Sequence, residues 1–155
     1  MSITIKLARI DKRLLHATVA LNWNQFIDAD NVFIVDPHYV NDPFIANVMQ
    51  LCLPKTMRVK IFSVEQFLEF LKEQHHGKAM VIFSDLQVAC DAVKAGFHTK
   101  EIQLPYPASR MMMKGLSDYF KEDEIACIRY IQSQGIALFF QTAPFDNKDY
   151  SIFKK

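Results

Sequence analysis

The octet Arg9-Ile10-Asp11-Lys12-Arg13-Leu14-Leu15-His16 gathers two guanidinium groups, a carboxylate and an imidazole at the polar exit of an apolar run. Imidazole titrates near neutrality and is a good neutral nucleophile. Guanidinium offers phosphate a planar fork of donors, and the first N–H groups of a helix favour an anion. Such a set is suited to phosphoryl chemistry on His16. Taken singly, Arg13 would be a surface ion pair worth about 0–1 kcal/mol, and Asp11 a turn or cap residue. Their company is what points to phosphate.

The elements around the octet must present it. Ile3, Ile5 and Leu7 begin a strand, and Leu15, Val19, Trp23, Phe26 and Ile27 share a helical face after the polar turn. His16 therefore falls at or just before a helix start. Asn31-Val32-Phe33-Ile34-Val35 reads as a strand buried on both faces. Pro43 opens a helix capped by Asn41 or Asp42, with Ile45, Val48, Met49 and Cys52 as its apolar stripe. Residues 59–62 form a strand, and Ser63 with Gln66 has the form of a capping box on a helix whose core face is Val64, Phe67, Leu68 and Leu71. Gly77 suits its C-terminal cap.

Residues 79–83 are a further strand, and Leu86, Ala89, Cys90 and Val93 carry the next helix to Gly96. A weaker strand at 101–104 runs into Pro105-Tyr106-Pro107, which must be extended or turned. Lys121-Glu122-Asp123-Glu124 suits the first turn of a helix whose apolar side is Ile125, Ile128 and Ile131. Residues 136–140 make the last strand. Met111-Met112-Met113 serves equally as core filling or as a partner-facing surface.

Alternating strands and amphipathic helices predict an α/β fold, an open, mainly parallel twisted sheet of about seven strands with helices on both faces. The whole chain, 1–155, reads as a single domain, with 146–155 a polar, loose tail. In such sheets function gathers at the carboxyl ends of the strands. The loops leaving at Asp11, Asp36, Ser84 and Pro105 are expected to share that rim.

A formal charge of +1 with scattered Lys and Arg argues against a nucleic-acid surface. No apolar run approaches the roughly 20 residues of a membrane span, and the start lacks a signal peptide's apolar region, so a cytoplasmic location is expected. Cys52, Cys90 and Cys127 are far apart and read as buried structural thiols. Adjacent His75 and His76 diverge on a helix end and have no third ligand nearby, so no metal is expected. The four glycines are too dispersed for a dinucleotide or Walker loop.

The run Arg-Ile-Asp-x-Arg-Leu-x-His, with Trp23 seven residues beyond the histidine, resembles the IIB components of the mannose/fructose/sorbose family of the bacterial phosphotransferase system. Asn41-Asp42 after the second strand and Phe62-Ser63-Val64-Glu65 after the third fall where that family has theirs, so the likeness covers nearly the whole chain. It implies a phosphotransferase component, a cytoplasmic protein peripherally associated with its permease. His16 would accept a phosphoryl group from the phosphohistidine of a IIA partner and pass it to a sugar carried by the membrane IIC/IID pair. Asp11 and Arg13 would orient the imidazole and steady the phosphate. No cofactor is implied, and self-association is left open.

Ala17-Thr18 stands where family members commonly carry Gly-Gln, and Leu104-Pro105-Tyr106-Pro107 where paired glycines are usual. These departures keep a second reading in view, a IIB-like binding or regulatory module with little or no transfer.

Overall fold

A computed structural model describes residues 3–13, 23, 26–73, 75–107 and 114–154. Leu15, His16, Ala17, Thr18, Val19 and the run Met111-Met112-Met113 lie outside the described residues. Strands β1 (Thr4–Ile10), β2 (Asn31–Val35), β3 (Arg58–Phe62), β4 (Lys78–Phe83), β5 (Glu101–Leu104) and β6 (Ala137–Phe140) form one sheet in the order β3-β2-β4-β1-β5-β6. Every neighbouring pair is parallel. The described residues thus hold six strands where about seven are expected. Beyond β6 the chain makes a single antiparallel bridge, Phe140 with Asp149, too short to extend the sheet.

The helices are α1 (Pro43–Leu51), α2 (Val64–Lys72), α3 (Leu86–Lys94), α4 (Leu116–Tyr119) and α5 (Glu122–Ser133), followed by a 3-10 turn at Ser151–Lys154. Handedness explains which face each one covers. The connections β3–β4, β4–β5 and β5–β6 run toward the β6 edge, and α2, α3 and α5 pack on one face, where Phe67, Ala89 and Ile128 meet Phe33, Phe83 and Ile102. The connections β1–β2 and β2–β3 run the other way, and Trp23, Ile27, Met49 and Leu53 pack on the opposite face against Val32, Ile34, Met80 and Ile82. Right-handed crossovers require this division.

Local chemistry sets the helix ends. Asp42 accepts from the Phe44 and Ile45 N–H groups, and Asp85 from Val88 N–H. Ser63 and Gln66 form both bonds of the capping box. Gly96 and Gly135 follow the ends of α3 and α5 at φ +116° and +81°, a conformation that suits glycine. Gly77 also has positive φ but does not cap α2, which ends at Lys72; it lies at the turn into β4, where its carbonyl accepts from Thr4 N–H.

Three expectations on apolar residues are corrected. Residues 43–53 contain no charge, so an apolar stripe can be drawn along several faces of α1. Met49 and Leu53 are the residues packed inward, while Val48 and Cys52 are exposed, so Cys52 is not a buried thiol as Cys90 and Cys127 are. Phe26 is also exposed and meets the exposed Phe145 edge-on at 5.0 Å.

The tail is the third correction. Residues 149–154 are packed, and Ile152 and Phe153 are buried. Asp149 exchanges both backbone hydrogen bonds with Phe140, and its carboxylate accepts from the Ser151 N–H and hydroxyl. The Phe153 ring lies 4.9 Å from that of Phe140 and 6.1 Å from that of Phe120, and its carbonyl accepts from Gln132. Two apolar residues among polar ones are too few to show a period, which is why the segment reads as loose. Phe153→Ala is expected to cost about 3–5 kcal/mol. Urea unfolding would show it as a lower midpoint at unchanged slope; a loss under about 1 kcal/mol would contradict the packed tail.

Candidate functional site

β1 is the centre of the site because its last residues change from core to charge. Ala8 and Ile10 face the α2/α3/α5 layer, so Arg9 between them points to the opposite face. There its guanidinium is 1% exposed and 5.8 Å from the centre of the Trp23 ring. Arg9 Nε donates to Asp11 Oδ2 at 3.1 Å, and Nη1 donates to Gln103 Oε1 and, at 3.3 Å, to the Gln141 carbonyl. Asp11 is the first residue beyond the strand; its N–H donates to the Phe83 carbonyl at 3.0 Å, tying the exit of β1 to that of β4.

Asp11 is 3% exposed and is shared between two cations. Its Oδ1 accepts from the Arg13 N–H at 3.0 Å and from Arg13 Nε at 3.1 Å, while Oδ2 accepts from Arg13 Nη2 at 3.1 Å. One carboxylate therefore fixes both the backbone and the fork of Arg13, whose side chain stays 45% exposed. Burial alone would raise the Asp11 carboxyl, but the Arg13 side chain and N–H and the Arg9 charge outweigh it and hold it below the usual range. Arg13 is raised, chiefly by its bond to Asp11. Burial lowers the Arg9 guanidinium, and Asp11 offsets part of that effect.

Beside this cluster lies a cavity of about 360 Å³ at the carboxyl ends of β1, β4 and β5. It occupies the place where strand order reverses, since the connection after β1 runs toward β3 and that after β5 runs toward β6. Open α/β sheets form a crevice there. Asp11, Lys12, Arg13, Asp85 and Glu124 supply charge, and Leu86, Leu104, Tyr119, Phe120 and Phe140 supply an apolar wall. Tyr106 also lines it, stacked on Phe140 at 4.9 Å, with its hydroxyl donating to Asp149 at 2.5 Å and its N–H to the Thr142 hydroxyl at 2.9 Å.

The structure brings Asp11 and Arg13 together as the spacing suggests; His16, three residues on, is outside the described residues. Gln103 and Gln141 escape the sequence reading. Their signal is a polar residue inside or directly after a short apolar strand, Ile102-Gln103-Leu104 and Phe139-Phe140-Gln141. Among the described residues, no group of three or more His, Cys, Asp or Glu is placed to hold a metal ion. His75 stacks on Phe70 at 3.8 Å.

A family model described as PTS system sorbose subfamily IIB component matches residues 5–152. The chain belongs to this family. As a IIB chain it is a phosphotransferase component of a sugar-transport system. It is 26% identical over 149 residues to the N-acetylgalactosamine-specific phosphotransferase enzyme IIB component 1 of Escherichia coli (strain K12), covering 94% of each chain. It is 23% identical over 141 residues to the sorbose-specific EIIB component of Lacticaseibacillus casei, covering 86% of this chain and 84% of that one. The crystal structure of the IIBSor domain of the Klebsiella pneumoniae sorbose permease superposes with a TM-score of 0.81 at 22% identity, over 98% of this chain and 96% of that one, which establishes a shared fold. No helix among the described residues of this IIB chain is long and apolar enough to cross a membrane.

Asp11 partners two arginines, one of them buried, so Asp11→Asn is expected to lower stability by about 3–5 kcal/mol at pH 7. A depressed carboxyl contributes stability above its unfolded value, about 3.9, and loses it as the pH falls through the folded-state value. The gap between wild type and variant should therefore narrow in acid, where the unfolded chain takes up its proton first. Urea titrations at pH 7 and pH 3 measure both; an equal gap at the two pH values would contradict the ion-pair account.

Proposed function

We propose that this IIB chain acts as a single phosphocarrier domain that accepts a phosphoryl group on His16 from the phosphohistidine of a IIA partner and passes it to a sugar held by a IIC/IID permease. The observation that carries the reading is the grip of Asp11 on Arg13, a buried carboxylate that fixes a half-exposed guanidinium at the mouth of a strand-end cavity. That guanidinium lies three residues before the histidine. Arginine held in this way is preorganised for a phosphate without losing its outward donors.

In the first step the N–P bond on the IIA histidine breaks as an N–P bond forms to His16. In the second, a sugar hydroxyl oxygen bonds phosphorus, the His16 bond breaks, and the hydroxyl proton leaves to the site. Transfer of this kind is in-line and loose, so positioning and charge do most of the catalysis. The work is done at the cytoplasmic face of the membrane, where the permease presents the sugar. Relatives named for N-acetylgalactosamine and for sorbose differ in the sugar while sharing the family, which is expected if the permease selects it.

The alternative, a binding or regulatory module, draws support from the loop at Pro105-Tyr106-Pro107. Tyr106 is held by Phe140, Thr142 and Asp149 where the family commonly carries paired glycines. Intact-mass measurement decides between the two. Incubation with phosphoenolpyruvate, the general phosphotransferase proteins and the cognate IIA should add one acid-labile phosphoryl group to wild type and none to His16→Ala. Arg13→Ala should slow the addition by about 100-fold or more. A wild-type chain that gains no mass under these conditions would remove the carrier reading and leave the module.

A further inference from the structure

The interior of β5 holds a fully buried amide, Gln103, between the core residues Ile102 and Leu104. Gln103 is the in-register partner of Arg9 on β1. Its Oε1 accepts from Arg9 Nη1, and its Nε2 donates to Gln141 Oε1 at 2.9 Å. Gln141 Nε2 donates in turn to the Asp146 carbonyl at 2.8 Å. Because that last acceptor is a backbone oxygen, the donor chain runs in one direction only, and each amide has one orientation that satisfies both neighbours. Gln103 must turn its oxygen toward Arg9.

The charges in this cluster do not cancel. Arg9 and Arg13 share the single carboxylate of Asp11, which leaves one positive charge in excess. A buried cation is costly unless paired, and a carboxylate at position 103 would satisfy the same donor and neutralise it. The chain instead has an amide of the same size. A neutral oxygen holds the guanidinium in place and leaves the excess charge of the cluster to act on whatever anion is bound nearby, at a depth where screening is weak. Arg9 meanwhile bonds Asp11 and lies 5.8 Å from the centre of the Trp23 ring.

We propose that Gln103 is a positioning residue of the phosphoryl site, seating Arg9 through a neutral oxygen so that Arg9 fixes the Asp11–Arg13 pair while the three-residue cluster keeps its net positive charge. This inference rests on the carrier reading given above. The two fail separately: an absent wild-type phosphoryl increment defeats the carrier reading, whereas a normal wild-type increment that Gln103 variants leave unchanged defeats this inference alone.

The experiment measures phosphoryl uptake from phosphorylated IIA by the full chain, as wild type, Gln103→Glu and Gln103→Met, with kcat and KM separated and thermal midpoints recorded. Gln103→Glu keeps an oxygen on Arg9 but cancels the charge. It should lower kcat by roughly 10- to 100-fold and lower the phosphoryl occupancy at equilibrium, with KM for phosphorylated IIA unchanged. Gln103→Met removes the seat without adding charge and should lower kcat to a similar extent, together with the thermal midpoint. Wild-type kcat and occupancy in Gln103→Glu would overturn the proposal, as would a loss confined to KM or to the thermal midpoint. If Gln103→Glu does not fold, Gln103→Met decides, and a retained kcat there overturns it.

Discussion

A single buried carboxylate sets the geometry of the strand-end site. Asp11 is held from below by Arg9 and from its own backbone by the Phe83 carbonyl, and it holds Arg13 through three separate donors. Ion pairs of this depth contribute little net stability, because the cost of desolvating the charges offsets most of their attraction. What they supply is a fixed direction. An exposed arginine on a free turn would sample many rotamers, and the loss of that freedom on binding a phosphate would weaken the contact. Here the loss has already been met in folding, and Asp11 does for Arg13 what a rigid scaffold does for a loop.

The sheet decides that this direction matters. β1 occupies the middle of the sheet, with β4 and β5 as its neighbours, and the connections on either side of the crevice diverge. Backbone groups at three strand ends therefore meet a single space, and α4 with the start of α5 closes its far side through Tyr119, Phe120 and Glu124. The apolar part of that wall lowers the polarity on one side of the charged part, which strengthens the electrostatic contacts of the buried Asp11. The tail takes part as well, since Phe153 packs under Phe120 and Phe140 and thereby backs the wall.

Most of the order of elements was legible in the sequence because α1, α2 and α3 carry side-chain caps and most strands an apolar run; α4, which begins after a glycine, gave no such signal. Asp42 and Ser63 with Gln66 act where the residues suggest. The octet was legible for a different reason: charge at the end of a buried strand is unfavourable unless it is used or paired. Where the reading failed, the local signal was ambiguous. Residues 43–53 carry no charge and have only Asn47 and Gln50 as polar side chains, so periodicity could not choose the inner face of α1, and only the position of the sheet does so. Ile152 and Phe153 were hidden by their polar neighbours. Gln103 and Gln141 are far apart in sequence and come together because β5 and β6 are adjacent, a fact that no window along the chain contains.

The relation between Gln141 and the loop that follows extends this point. Gln141 gives its carbonyl to Arg9 and its side-chain N–H to Asp146, so one residue at the end of β6 anchors the charged cluster and the 142–149 segment together. Tyr106 is tied to the same segment through Thr142 and Asp149, and Ser151 and Tyr106 both help to hold the Asp149 carboxyl below its usual range. The cavity wall beside Pro105 and the buried guanidinium behind Asp11 are thus two ends of one hydrogen-bonded assembly. A rearrangement of 142–149 would disturb both ends, because the buried Gln141 amide and the half-buried Tyr106 would each need a new partner.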